Sequence, residues 1–375
     1  MKSPFLLLCV AVTSGVIAAT VQPAPVTNPP AYRTDGGGND KLRWFQLKPG
    51  EFPPEGAAQE FAGELIALDH INRTGALRLD RTDAIPRSRW DETSPFTLLS
   101  FGSLRFHGAP AELKDIPLGT HLHGQFFFEE KAGKDGKGAF TKALRLEDDF
   151  SFFARQGRTW RVDAVDQGKN TLKLTGLDAT GKPTEAKSTA FLLFLSTQVW
   201  KGRAIGSLTD LKPGQSVLIN LTVCTLKGPG RCTDVWIDPE SRDVASAHQL
   251  EVHRQFQREH GLPGWVDEVD NAQSIVTVTL FAGFDPKLRD EFVVGESLSS
   301  AVAEDNLRTY DQGSDRMRGE ILEVKSVPAG PGNSGVRIKF KTVTLIEGHR
   351  PRHILRLFSG KWKPDDLPKE ERLYQ

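Results

Sequence analysis

Sulfur is nearly absent from this chain. Its 375 residues hold three cysteines and two methionines, and no two cysteines stand at C-x-x-C spacing, which argues against a redox dithiol. Charge of one sign is missing too. Lys+Arg and Asp+Glu both number 48, so nothing pulls the molecule as a whole onto phosphate backbones or anionic lipid, and nucleic acid is not an expected partner. No apolar run is long and unbroken enough to cross a bilayer: the one at the N-terminus, Phe5 to Val12, is interrupted by Thr13, Ser14 and Gly15. Nucleophile motifs are incomplete. "GESLS" around Ser297 lacks the second glycine of G-x-S-x-G, and "GNSG" at 332–335 falls in a hairpin-turn slot without the further glycine of a serine-protease turn. No catalytic residue is expected, and the chain does not read as an enzyme.

What is present begins with export. Lys2, the short apolar run and the small residues Ala18 and Ala19 form a secretory signal over 1–20. No transmembrane span is expected once it is removed. Residues 21–54, rich in Pro and Gly, read as a spacer. The expected location is the periplasm, the cell envelope or the medium, where thiols oxidise. There Cys224 and Cys232, flanking the Gly-Pro-Gly of "CTLKGPGRC", are expected to form a disulfide contributing about 2 to 3 kcal/mol.

The dominant signal beyond the spacer is self-similarity at about a hundred residues, a domain-sized period. "ELIALD" (64–69), "RVDAVD" (161–166) and "WVDEVD" (265–270) each end in Asp before a turn, and Asp69, Asp166 and Asp270 read as turn-formers. A second block, "APAELKDIPLG" (109–119), "AIGSLTDLKPG" (204–214) and "AEDNLRTYDQG" (303–313), places apolar residues at i, i+4 and i+7 and predicts a short helix closed by Gly. A strand, a Gly-rich turn and another strand follow each time. Five strands with a helix between the third and fourth make an OB-type small barrel. The fold class is therefore mainly β, three tandem OB-like small β-barrels with short helices inside modules and longer ones between them. Modules are expected at 55–148, 149–260 including a linking helix, and 261–363, with a tail over 364–375. The linking helix, from Pro239 to Gly261, is expected to bury Val244, Ala247, Leu250 and Phe256.

The runs "VDAVD", "TLKL" and "LTDLKPGQSVLINL" resemble the small exported OB-like modules of bacterial periplasmic proteins, the copper-chaperone type among them. From Trp44 to about Phe358, with "GTHLHG" and "HGLPGWVD", the chain is similar to uncharacterised exported proteins of planctomycete-type bacteria with tandem OB-like modules. The resemblance implies fold and export and no activity. The sulfur-rich strand of the copper chaperones has no counterpart, since the only methionines are Met1 and Met317.

Three sets of residues are candidates for binding. Arg337, Lys339 and Lys341 alternate with Val336, Ile338 and Phe340, giving one basic strand face in the last module, either solvated and balanced by nearby acids or open to an acidic polymer. OB-type barrels bind with their hairpin loops, here His70–Thr74, Lys131–Gly138 with Lys131, Lys134 and Lys137, Lys227–Arg231 and Pro328–Gly335. The third set is the histidine pair of "GTHLHG". His121 and His123 share the outward face of a strand whose inward face carries Leu122, Phe126 and Phe128, so they face water, another module or a metal. Two imidazoles alone hold Zn²⁺ or Cu²⁺ weakly, and His107 is the nearest further ligand in sequence. No cofactor is expected beyond such a weak site, with no sub-micromolar affinity. Asp148 and Asp149 read as helix-start residues. The function expected is a non-catalytic binding or structural protein of the envelope, engaging a polymer or a protein partner, with metal binding at His121 and His123 as the alternative.

Overall fold

The computed structural model describes residues 50–81, 93–129, 139–222, 230–308 and 316–362. The expected signal and the expected spacer up to residue 49, Lys131, Lys134, Lys137, Cys224, Lys227 and the tail lie outside these. The disulfide expectation thus has one member, Cys232, among the described residues, buried in the middle barrel's core.

The chain is mainly β, in three closed small barrels. The first holds β1 (Gln59–Asp69), β2 (Thr74–Leu79), β3 (Thr93–Phe106), a short β4 (Ala109–Ala111), β5 (His121–Glu129) and β6 (Ala139–Asp148). Its five main strands close in the order β1-β2-β3-β6-β5, with only β3 and β6 parallel, which is the OB arrangement of five strands numbered 1-2-3-5-4. A 3₁₀ turn at Leu113–Asp115 stands where the short helix was expected. The helix α1 (Asp149–Arg155) leads to the second barrel: β7 (Thr159–Asp166), β8 (Thr171–Leu177), β9 (Thr189–Leu192), the small pair β10 (Gln198–Lys201) and β11 (Ala204–Ile205), β12 (Ser216–Thr222) and β13 (Arg231–Trp236). It repeats the same order with β9 and β13 parallel and a 3₁₀ turn at Leu208–Asp210.

After α2 (Pro239–His260) the third barrel has six strands, β14 (Leu262–Asp270), β15 (Ile275–Phe281), β16 (Ser297–Ala303), β17 (Arg316–Ser326), β18 (Asn333–Thr342) and β19 (Ile354–Ser359). They close antiparallel as β14-β15-β18-β17-β16-β19. The helix expected from Ala303 is not formed over 303–308. Leu307 sits at φ 62, outside helical space, and its carbonyl accepts Nε and Nη2 of the buried Arg356. A 3₁₀ turn lies instead at Pro286–Glu291.

The three repeated hexamers, each with an aliphatic second residue and a final Asp, have a physical content common to all three barrels. Each first strand carries a bulge at the same place, Leu65/Ala67, Val162/Ala164 and Val266/Glu268. Each ends in an Asp whose carboxylate accepts backbone N–H groups two or three residues on, and each turn closes through a left-handed residue, Arg73, Asn170 or Ser274. The second residue of each hexamer pairs in both directions with the strand that closes the barrel. Leu65 bonds Gly119 and Thr120, Val162 bonds Gly214 and Gln215, and Val266 bonds Arg352 and His353. The residue that bonds in the third barrel as Gly119 and Gly214 do in the others is therefore Arg352, at φ 73, while Gly313 lies outside the described residues.

Each barrel has its own apolar core. Between the first and third lies a further aromatic cluster, with Phe101 and Phe127 on one side and Trp265 and Phe281 on the other. The turn at Gly332 closes onto Phe101, so near that a Cβ there would come within 2.5 Å of the ring. The Pro328–Gly335 hairpin is thus docked against the first barrel. The linking helix departs from its expected face. Asp238 caps it, and Gly261 ends it as read from sequence, but Val244 and Ala247 are exposed, Leu250 and Phe256 are only half-buried, and the buried side chains are Ser241, Gln249, His253, Gln257 and His260. Its neighbours present polar groups: Gln249 donates to Asp115 at 3.0 Å, Gln257 to Glu112 at 3.3 Å, and the His253 ring meets the Gly283 carbonyl at 2.9 Å.

Candidate functional site

The first and second barrels meet on α1. Strands β5 and β12 each turn an outer face to it, and register explains which residues arrive there: Leu122 and Phe126 fill the first barrel, so His121 and His123 leave it. They meet a helix and not water. His121 is 3 % exposed. Its Nδ1 lies 2.8 Å from Oδ1 of Asp149 and its Nε2 lies 3.1 Å from Oδ2 of Asp80. His123 Nε2 approaches the same Asp149 Oδ1 at 2.9 Å, and its ring stacks on Phe152 at 3.8 Å. From the second barrel the Leu221 N–H donates to Asp149 Oδ2 at 3.0 Å. Burial works to raise the Asp149 pKa, but the charge of His121 and the hydrogen bonds of both imidazoles outweigh it and hold the carboxyl well below the usual carboxylate range.

Asp148 caps α1 through Ser151 N–H and also accepts from His107 N–H and Asn220 Nδ2. Burial pushes its carboxyl up against the pull of His107. His107 does not join the pair it was expected to complete. It occupies a left-handed turn, stacks on Phe106 and meets Trp236 edge-on at 5.0 Å, while the group that converges with His121 and His123 is Asp149. Sequence reasoning saw Asp149 only as a helix-start residue, because its partners come from a strand more than twenty residues earlier and from another barrel.

On the basic strand, Val336, Ile338 and Phe340 point inward as expected. Arg337 is paired with Asp267 at 3.0 Å and bonds Thr279. Lys339 and Lys341 stand opposite Glu323 and Glu320 of β17. The face is balanced by acids on its neighbours, which favours the solvated reading of these three residues.

A concentration of positive charge does occur elsewhere, in a cleft of about 480 Å³, counted with the space at its mouth, between the first barrel, α2 and the third barrel. Arg73, Lys114, Arg308 and Arg356 line it with His70 and His260, against the single carboxylate of Glu112. Arg73 is the unusual member. It fills the left-handed turn slot that Asn170 and Ser274 fill in the other barrels, is 6 % exposed and donates to the carbonyls of Ser100 and Gly102. Its Nε finds no partner among the described residues. Burial lowers its pKa, with Glu112 opposing. That turn belongs to the His70–Thr74 loop singled out from the sequence. The missed residues Lys114, Arg308 and Arg356 come from three distant segments.

Among the described residues a serine–histidine pair is formed by Ser300 and His349 at 2.9 Å. His349 Nδ1 accepts the Ile346 N–H, so Nε2 carries the proton and donates to Ser300. That is the reverse of what activating a nucleophile requires.

No protein-family model matches the chain, and no curated protein matches it. Among the described residues no helix is long and apolar enough to cross a membrane.

Proposed function

We propose that the chain is an exported, non-catalytic binding protein of the cell envelope, and that its cleft between the first and third barrels takes acidic groups of an envelope polymer. The observation that carries this reading is the excess of cations there, four Arg and Lys side chains among its lining residues with one Glu. Arg73 adds a second argument. Placing an arginine in a left-handed turn and burying it both cost free energy, and the equivalent turns of the sister barrels do without it. The reading keeps the loop expected from sequence and replaces the basic strand, whose charges are internally balanced.

Fluorescence anisotropy with a labelled acidic polysaccharide, polygalacturonate or heparin, tests it. Binding is expected at low salt and should weaken steeply as salt rises, because exposed charges are screened within about 8 Å at physiological ionic strength. The Lys114→Gln/Arg308→Gln variant should lose about tenfold or more in affinity, equivalent to about 1.4 kcal/mol. The Lys339→Gln/Lys341→Gln variant should bind as the parent does. An unchanged affinity in the first variant, or a loss confined to the second, would reject the cleft.

A further inference from the structure

We propose that His121, His123 and Asp149 hold one first-row divalent transition metal ion, zinc in the first instance, at the joint between the first two barrels. Three donor atoms suited to Zn²⁺, two imidazole nitrogens and one carboxylate oxygen, lie within 4.8 Å of one another. The surroundings match what metal ligands need. Asp80 sits on Nε2 of His121 and the Leu221 N–H sits on Oδ2 of Asp149, so Nδ1 of His121 and Oδ1 of Asp149 are the atoms turned to each other and to Nε2 of His123. A carboxylate behind a ligating histidine and a donor behind a ligating carboxylate are the usual orienting partners at such sites. Phe152, stacked on His123, fixes the third ring.

The nitrogen-to-oxygen distances of 2.8 and 2.9 Å are those of hydrogen bonds. Bond lengths of about 2.0 to 2.2 Å to zinc place tetrahedral ligand atoms roughly 3.4 Å apart, so the ion enters by displacing two ring protons, lengthening the two nitrogen-to-oxygen separations and bringing the two imidazole nitrogens, which lie within 4.8 Å, to the same spacing. Charge is balanced: two neutral imidazoles with the carboxylates of Asp149 and Asp80 offset a divalent cation. Access is through His123, which is half-buried and also lines a groove with Glu60, Gln125, Glu147 and Phe152. A water or a ligand from that side would complete the coordination. The weak site expected from two histidines becomes a three-ligand site because α1 delivers a carboxylate that no spacing in the sequence discloses.

The test uses the full chain freed of metal by chelation and titrated calorimetrically with zinc chloride, with cobalt(II) as a spectroscopic probe. One equivalent should bind saturably with release of protons, cobalt(II) should show visible bands of nitrogen and oxygen ligation, and the melting temperature should rise with zinc. Asp80→Asn should weaken zinc binding by about 10- to 100-fold, and His123→Ala, at a half-buried position, by more. Absence of saturable binding to the parent chain would overturn the proposal. So would an affinity left intact in a folded His123→Ala variant, which would place the ion elsewhere.

Discussion

His349 is buried in the third barrel with Nδ1 accepting a backbone N–H and Nε2 donating to Ser300, an arrangement that only the neutral ring can make. Burial lowers its pKa from 6.5 to about 4. Between those values the unfolded chain takes up a proton that the folded chain does not. The stabilising contribution is therefore full above about pH 6.5 and is lost as the pH falls toward 4, at about 1.4 kcal/mol per pH unit for one proton. Urea denaturation across this window should show a shallower fall for His349→Gln than for the parent, and equal slopes would mean that His349 titrates alike in both states. At the joint between the first two barrels, Asp148 satisfies three donors, one each from α1 and the two barrels. Asp148→Ala removes a helix cap and leaves buried donors without acceptors, and should cost about 3 kcal/mol or more in the same assay. A loss below about 1 kcal/mol would show that water takes over those donors. Asp148 was legible as a cap because the residues it caps follow it directly. Its hold on His107 and Asn220 was not legible, since those contacts span two barrels.

Among the elements, the first hairpin of each barrel was readable in detail. The bulge, the Asp turn and the left-handed residue four positions on are local and recur, so the hexamers carry them openly. The signal that was there to be found is the difference within this repeat: Arg73 where the sister turns have Asn170 and Ser274. The short helix of the third module was misread because the same apolar spacing is overridden by Arg356, which holds Leu307 outside helical space. The buried face of α2 was misread for another reason. An apolar-face argument presumes an apolar partner, whereas this helix lies against carbonyls and carboxylates of the first and third barrels. Gln249→Ala and Gln257→Ala should each cost about 1 to 2 kcal/mol, and Val244→Ala, at an exposed position, within about 0.5 kcal/mol. Denaturation midpoints that reverse this ranking would restore the apolar face.

At the scale of the whole molecule, the outer faces of the first barrel are used for joining. One meets α1 and the second barrel through hydrogen-bonded histidines and aspartates, and another meets the third barrel through aromatic rings. A zero net charge conceals this organisation, because the positive cleft is assembled from loops of two barrels and the end of α2. The claim that this composite cleft is the recognition surface is tested most directly by hydrogen exchange on the full chain with and without saturating acidic polysaccharide. Protection is predicted to rise together in 70–73, 112–114 and 306–308, with little change along β18. Protection confined to one barrel, or centred on Arg337 to Lys341, would contradict it.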